Sequence, residues 1–236
     1  MKKAVFILLV LIAAQTSFAQ TLKPKPTTTT AKPAVVKGRL VQLTTDYGVM
    51  VIRLYDSTPL HRDNFIKLVK EGFYDSLMFH RIIQQFMIQG GDPDSKNAAE
   101  GQQLGAGSAP GIERIPAEFR NNLIHKKGAL AAARDNNPEK ASSNCQFYIV
   151  DGQKYSDTAL NMMECNMRQE DPGFRFTEAQ RKVYKTIGGT PFLDQNYTVF
   201  GEVIKGLDVL DKIAALAKDA NDRPVQDVRM KMKMLN

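Results

Sequence analysis

The run Phe79-His80-Arg81-Ile82-Ile83-Gln84-Gln85-Phe86-Met87-Ile88-Gln89-Gly90-Gly91-Asp92 constrains the fold of this chain more than any other stretch. It sets one arginine among large apolar side chains and closes on a glycine pair. Two short apolar groups around a polar pair predict two strands, near Met78–Ile83 and Phe86–Gly90. In extended backbone Phe79, Arg81 and Ile83 share one face, as do Met87 and Gln89 in the second half. Gly90-Gly91 then permits a sharp turn. A cation on an apolar surface costs free energy unless it has partners or a task. Arg81 can lay its stem along an edge strand with its head in water, or it can belong to a built site.

The 236 residues of the chain divide into three parts. Residues 1–19 have the form of a secretory signal: Lys2 and Lys3, an apolar stretch Ala4–Ala14 too short to span a bilayer, and Ser17-Phe18-Ala19 ahead of an expected mature start at Gln20. No cysteine lies near that cut, which speaks against a lipid anchor. An exported chain, periplasmic or secreted, with no transmembrane segment once mature, is the expectation. Residues 20–37 hold three prolines, five threonines and four lysines, with no acid and no aromatic. Such a segment buries too little apolar area to offset its ordering entropy and reads as an extended, solvated linker. A tether touching anionic envelope material is the other reading.

Six of the seven net positive charges of the chain lie in those two segments, and residues 38–236, with 26 basic and 25 acidic residues, carry only +1. The folded body therefore offers no reason to expect a nucleic-acid surface. His61, His80 and His125 do not fall at metal-ligand spacing. There is no P-loop, dinucleotide fingerprint or GxSxG. No metal and no cofactor are expected.

The body reads as one domain. Arg39–Thr45 and Val49–Tyr55 alternate around Asp46-Tyr47-Gly48, a hairpin. Thr58-Pro59 predicts a helix start, with Thr58 as N-cap and Pro59 at the first helical position, and Gly72 ends the helix. Residues 92–118 read as a long loop. Asn144–Val150 and Tyr197–Ile204 are strands, Leu207–Ala217 an amphipathic helix, and Val225–Met234 a closing strand. On the first of these strands Gln146 and Tyr148 face one side while Phe147 and Ile149 face the other. Asp157 is placed to cap a helix to about Arg168 with Leu160, Met163 and Met167 on one stripe. Thr177-Glu178-Ala179-Gln180 fits a capping box before a second helix, with Ala179, Val183 and Ile187 at spacing four and Gly188-Gly189 as its stop.

As a string, the run from Phe79 to Asp92 resembles the central signature of the cyclophilins, the peptidyl-prolyl cis–trans isomerases. Ala133-Arg134 with Ser142-Ser143-Asn144-Cys145-Gln146-Phe147-Tyr148-Ile149 is similar to a second block, and Thr190-Pro191-Phe192-Leu193-Asp194 with Tyr197-Thr198-Val199-Phe200-Gly201-Glu202-Val203 to a third. The resemblance covers residues 38–236 apart from about 152–189. It implies a mainly β fold: a closed eight-stranded antiparallel barrel capped by two helices. It also makes a strand of Gly128–Arg134, whose alanines alone would favour a helix. Residues 152–189 then become a helical hairpin inserted beside the site, which either shapes substrate access or merely packs on the barrel. Cys145 and Cys165 either form one disulfide or, the slightly favoured reading, remain a pair of free buried thiols.

The implied reaction is rotation about an X–Pro bond, whose amide resonance gives a barrier of about 18–20 kcal/mol. The implied partners are proline-containing polypeptides, met by a monomer. Arg81 falls on the electrostatic position and Gln89 on the position that orients its guanidinium. Phe86, Met87, Tyr148, Leu193 and Tyr197 fall on the proline pocket, and Ala133, Arg134, Gln146 and Phe192 on flanking peptide positions. The chain departs from the pattern at Gln84-Gln85, where a proline–glycine turn is usual, and at Tyr148, where phenylalanine is common. Arg134 stands for the asparagine of eukaryotic members and Tyr197 for a histidine. Phe192 stands for the tryptophan linked to tight cyclosporin binding, which speaks against strong binding of that drug. These last three are similar to bacterial members. The alternative is a non-enzymatic, proline-peptide-binding chaperone on the same fold.

Overall fold

The computed structural model describes residues 39–235, so the expected signal segment and linker lie outside the described residues. The chain opens on the hairpin of β1 (Arg39–Thr45) and β2 (Gly48–Leu54), in full register from Arg39↔Leu54 to Thr45↔Gly48. Helix α1 follows (Pro59–Lys70), then β3 (Phe79–Ile83) and β4 (Met87–Gly90). A two-residue ribbon pairs β5 (Arg114–Ile115) with β7 (Ser142–Ser143) across β6 (Ala129–Ala132). After β8 (Phe147–Val150) come helices α2 (Asp157–Met167) and α3 (Glu178–Thr186), then β9 (Val199–Lys205), α4 (Leu207–Ala214) and β10 (Lys231–Leu235).

Eight strands form one antiparallel sheet in the order β10-β1-β2-β9-β6-β8-β4-β3. The sheet is curled rather than closed by strand pairing: β3 and β10 are its two edges. The seam between them carries backbone bonds from the approach to β10, with Phe79 N–H donating to Val228 O at 3.0 Å and Met230 N–H to Leu77 O at 2.8 Å. The expected closing strand Val225–Met234 is accordingly shorter. Its first half meets the seam through the isolated bridge Met78↔Arg229, and regular pairing with β1 begins at Lys231.

The central strands are buried on both faces. Phe147 and Ile149 of β8, Ile88 of β4 and Leu130 and Ala132 of β6 join the main core, with Phe65, Leu68 and Val69 of α1 and Val209, Leu210 and Ile213 of α4. Tyr148, Val150, Met87, Ala129 and Ala131 form a second apolar cluster on the opposite face. The parity expected of β8 holds. That expected of β3 does not, because Phe79 joins the main core while Ile83 packs with the second cluster. The reason is a register shift between Phe79 and Arg81: Phe79 pairs with Gly90 and Arg81 with Gln89, leaving His80 as the extra residue of a bulge. One inserted residue exchanges the faces of everything beyond it.

Helix α1 begins where expected, with Thr58 at the N-cap and Pro59 first in the helix, but the Thr58 side chain makes no cap hydrogen bond. A distant carboxylate does that work. Glu118 accepts from the Leu60 and His61 backbone N–H groups at 3.2 and 3.0 Å and from His61 Nδ1 at 2.8 Å. A buried anion there satisfies orphan donors and sits at the positive end of the helix dipole.

The insert is a helical hairpin. Ser156, not Asp157, caps α2, accepting from Ala159 N–H at 3.2 Å. Asp157 is the first helical residue. Thr177 and Gln180 form the expected capping box of α3. The apolar stripe read for α3 is not the buried one: Ile187 is 48% exposed, whereas Tyr184 is fully buried with Leu160 and Phe176. The inward face of α3 is polar, with Arg181 paired to Glu164 at 2.9 Å and Gln180 bonded to Asn121 O at 2.7 Å. Both cysteines are free. Cys145 is buried, and burial raises its thiol pKa to about 11, while Cys165 is exposed on α2.

Replacing Glu118 by Ala leaves two helix N–H groups and the His61 ring without their acceptor. The expected cost is about 2–3 kcal/mol in urea unfolding, with no change in the denaturant slope.

Candidate functional site

The second apolar cluster opens on one side into a slot of about 110 Å³. It is lined by Arg81, Phe86, Met87, Gln89, Ala133, Arg134, Tyr148, Leu193 and Tyr197. Nine of the residues read from the sequence thus converge from four segments of the chain. Met87 and Tyr148 are buried at its floor. The bulge at His80 turns Arg81 onto this face, at the mouth, with its guanidinium carbon 6.0 Å from the Phe86 ring centre. Tyr148 meets Tyr197 edge to face at 6.0 Å. The Arg134 guanidinium lies 4.7 Å above the Tyr197 ring, held by donation from its Nε to Asn196 O at 2.9 Å.

Two expected members lie beside the slot. Phe192 is 42% exposed and stacks on Phe86 at the rim, with ring centres 5.8 Å apart. Gln146 lines a neighbouring recess of about 430 Å³, walled by Gly105, Gly107, Ser108 and Arg114. Its amide donates to the carbonyls of Gly105 and Gly107 at 2.9 and 3.0 Å. The turn between β3 and β4 accommodates Gln84-Gln85 by placing Gln85 at φ 63°, with its N–H donated to Asp151 Oδ2 at 2.6 Å. A carboxylate contact there offsets part of the cost of a left-handed non-glycine residue.

The orienting hydrogen bond expected from Gln89 to Arg81 is not formed. The two residues are register partners across β3 and β4, but the Gln89 amide donates to Gln146 Oε1 at 3.3 Å. Arg81 faces Asp222 instead, with Nε 3.7 Å from Oδ2. Asp222 also binds Lys218 at 2.5 Å, and its own carbonyl accepts Ile82 N–H at 2.8 Å, which ties the loop to β3 beside the arginine. Sequence reading missed Asp222 because its partner lies far away in the chain. Nothing local marks it except an Asn-Asp-Arg-Pro turn.

The hydroxyl of Tyr148 does not enter the slot. It lies 3.0 Å from His125 Nε2, and His125 Nδ1 lies 2.8 Å from Asp194 Oδ1. Burial pushes the Tyr148 phenol pKa well above its ordinary value. The phenol therefore keeps its proton and donates to Nε2, while Nδ1–H donates to the carboxylate. Behind Arg81 a polar recess of about 310 Å³ is bounded by His80, Gln102, Asp219, Asn221 and Arg223. Both ring nitrogens of His80 are buried without a hydrogen-bond partner among the described residues, and burial lowers its pKa from 6.5 to about 4. Among the described residues no group of three His, Cys, Asp or Glu side chains is placed to hold a metal, and no helix is long and apolar enough to cross a membrane.

Two outcomes follow from this geometry. Asp222→Asn removes the ionic partner of a half-exposed arginine and should cost less than about 1 kcal/mol in urea unfolding. The depressed His80 pKa also fixes the sign of a pH effect. Unfolded histidine gains its proton near 6.5 and folded His80 only near 4. Stability from this group is therefore complete above pH 6.5 and falls by up to about 3 kcal/mol as pH drops toward 4. Urea unfolding of His80→Gln against the unsubstituted chain should show that part of the pH dependence gone.

The family model described as cyclophilin type peptidyl-prolyl cis-trans isomerase/CLD matches residues 40–234. The chain is 35% identical over 189 residues to the "Putative peptidyl-prolyl cis-trans isomerase" of Staphylococcus haemolyticus, spanning 80% of this chain and 86% of that protein. A relative of the same name from Staphylococcus saprophyticus is 34% identical over 185 residues, spanning 78% and 85%. Among solved structures, the Cryptosporidium parvum cyclophilin type isomerase, crystallised in the presence of the dipeptide Ala-Pro, aligns with a TM-score of 0.58. That alignment covers 84% of this chain and 99% of the other at 21% identity, a likeness of fold. With this match spanning both sides of the slot, the chain belongs to the cyclophilin-type peptidyl-prolyl cis-trans isomerase family.

Proposed function

We propose that this isomerase turns X–Pro bonds in the slot between Met87, Tyr148 and Leu193, with Arg81 as the group that lowers the barrier, and that its substrates are exported polypeptides during folding. The observation that carries the reading is the position of a cation at the mouth of an apolar slot of about 110 Å³. The proline ring enters the slot and is held by apolar contact. As the amide twists, resonance is lost and the proline nitrogen regains its lone pair. A guanidinium N–H aimed at that nitrogen is worth more to the twisted form than to either planar form, and only such a difference accelerates the reaction. No bond to the enzyme is made or broken. Phe86 and Phe192 wall the approach, and the recess beside Gln146 receives a neighbouring part of the polypeptide. Export is supported by the signal-like residues 1–19, with residues 20–37 as a spacer that takes no part in the chemistry.

Arg81→Ala should lower kcat/KM on a proline tetrapeptide by about a hundredfold or more. Its circular dichroism and unfolding midpoint should stay close to those of the unsubstituted chain, because Arg81 is half-exposed. Full activity in that variant would overturn the assignment. A chaperone effect that survives Arg81→Ala while isomerisation is absent from the unsubstituted chain would favour a binding role without catalysis.

A further inference from the structure

The helical insert reaches the slot through one buried side chain. Tyr184 of α3 is fully buried, and its hydroxyl donates to Asp194 Oδ2 at 2.5 Å. The other carboxylate oxygen, Oδ1, accepts the His125 backbone N–H at 2.9 Å and Nδ1–H at 2.8 Å. His125 Nε2 in turn accepts the Tyr148 hydroxyl at 3.0 Å. Asp194 is 2% exposed and directly follows Leu193, so one carboxylate stands behind two walls of the slot.

We propose that Tyr184 is a positioning residue for the proline slot, holding its Tyr148 and Leu193 walls through Asp194 and His125. The inference rests on the reading of that slot as the proline site and adds the insert to it. A buried carboxylate is tolerated only when its lone pairs are filled by donors. Two donors come from His125 and one from the insert. Burial together with the Asp194 charge raises the Tyr184 phenol pKa well above its ordinary value, so the donor role persists across the working pH range. The C-terminal end of the insert is fixed against His125 as well. Thr190 N–H donates to His125 O at 2.8 Å, and a Cβ on Gly189 would clash with that carbonyl. Removing the Tyr184 hydroxyl leaves Oδ2 unfilled. The carboxylate must then turn toward another donor, and that movement loosens the His125 ring that accepts the Tyr148 hydroxyl.

The test compares Tyr184→Phe, Glu164→Gln and the unsubstituted chain for affinity toward an Ala-Pro tetrapeptide by calorimetry, for kcat and KM, and for stability in urea. Tyr184→Phe should raise both Kd and KM about three- to tenfold with kcat changed by less than about twofold. Glu164→Gln breaks the insert's own charge hub with Arg168, Arg181 and the Phe176 N–H, without touching Asp194. It should lower stability and leave Kd as it was. Unchanged Kd in Tyr184→Phe, or an equal weakening in Glu164→Gln, would overturn the proposal. Should Tyr184→Phe fail to fold, amide NMR of the unsubstituted chain decides. The peptide should shift the amide signals of Tyr184 and Asp194 but not that of outward-facing Glu178, and silence at Tyr184 would count against the link. Affinity is read apart from turnover. A chain that binds the peptide without isomerising it sinks the catalytic reading and still leaves Tyr184 to be judged on Kd.

Discussion

Three short interior strands of the sheet must be buried on both faces at once, and the rest of the molecule follows from that demand. β4, β6 and β8 are each four residues long. One face of each meets the core under α1 and α4, and the other makes the floor of the slot. A sheet with one wet face would need no second cluster. Here the second face is roofed by Leu193 and Tyr197 from the segment after the insert and by Phe86 from the β3–β4 turn. The site is therefore the incompletely covered part of a second core, which explains why its floor is apolar and buried.

The roof packs on the second cluster, and buried or partly buried carboxylates fasten it and the segments around it. Asp194 binds His125 and Tyr184, and Glu118 binds α1 and His61. Asp222 joins the loop before β10 to β3. Each carboxylate links segments that are far apart in sequence. Buried acids such as Asp194 and Glu118 add little net stability against an apolar replacement but are costly to strip of a partner. The architecture thus concentrates sensitivity in a few polar hubs around an otherwise forgiving apolar shell.

The division of β8 was legible because Gln146 and Tyr148 differ in polarity from Phe147 and Ile149, and alternation reports polarity directly. The slot residues were legible through three linear blocks, each of which keeps its own side chains adjacent. Three things were not. The face of Phe79 depends on a bulge at His80, a backbone event with no side-chain signature in the run. The inward face of α3 was misread because its one fully buried residue, Tyr184, bonds to Asp194, while the partly buried Arg181 and Gln180 bond to Glu164 and Asn121, so hydrophobic spacing pointed to a stripe that ends on exposed Ile187. The orientation of Arg81 was assigned to its cross-strand neighbour Gln89, whereas its ionic partner, Asp222, arrives from the opposite end of the domain.

The pairing of β1 with β10 has a kinetic meaning. Leu40 meets Leu235 and Thr44 meets Lys231, so the first strand of the sheet waits for the last. Contacts between the two ends of a domain carry a large loop-closure cost and form late. A chain that emerges N-terminus first, from a ribosome or through a membrane channel, keeps the outer edge of β1 unsatisfied until nearly its whole length is out. Once β10 is in place, the exposed Lys231 and Lys233 blunt the edge it presents against pairing with another copy.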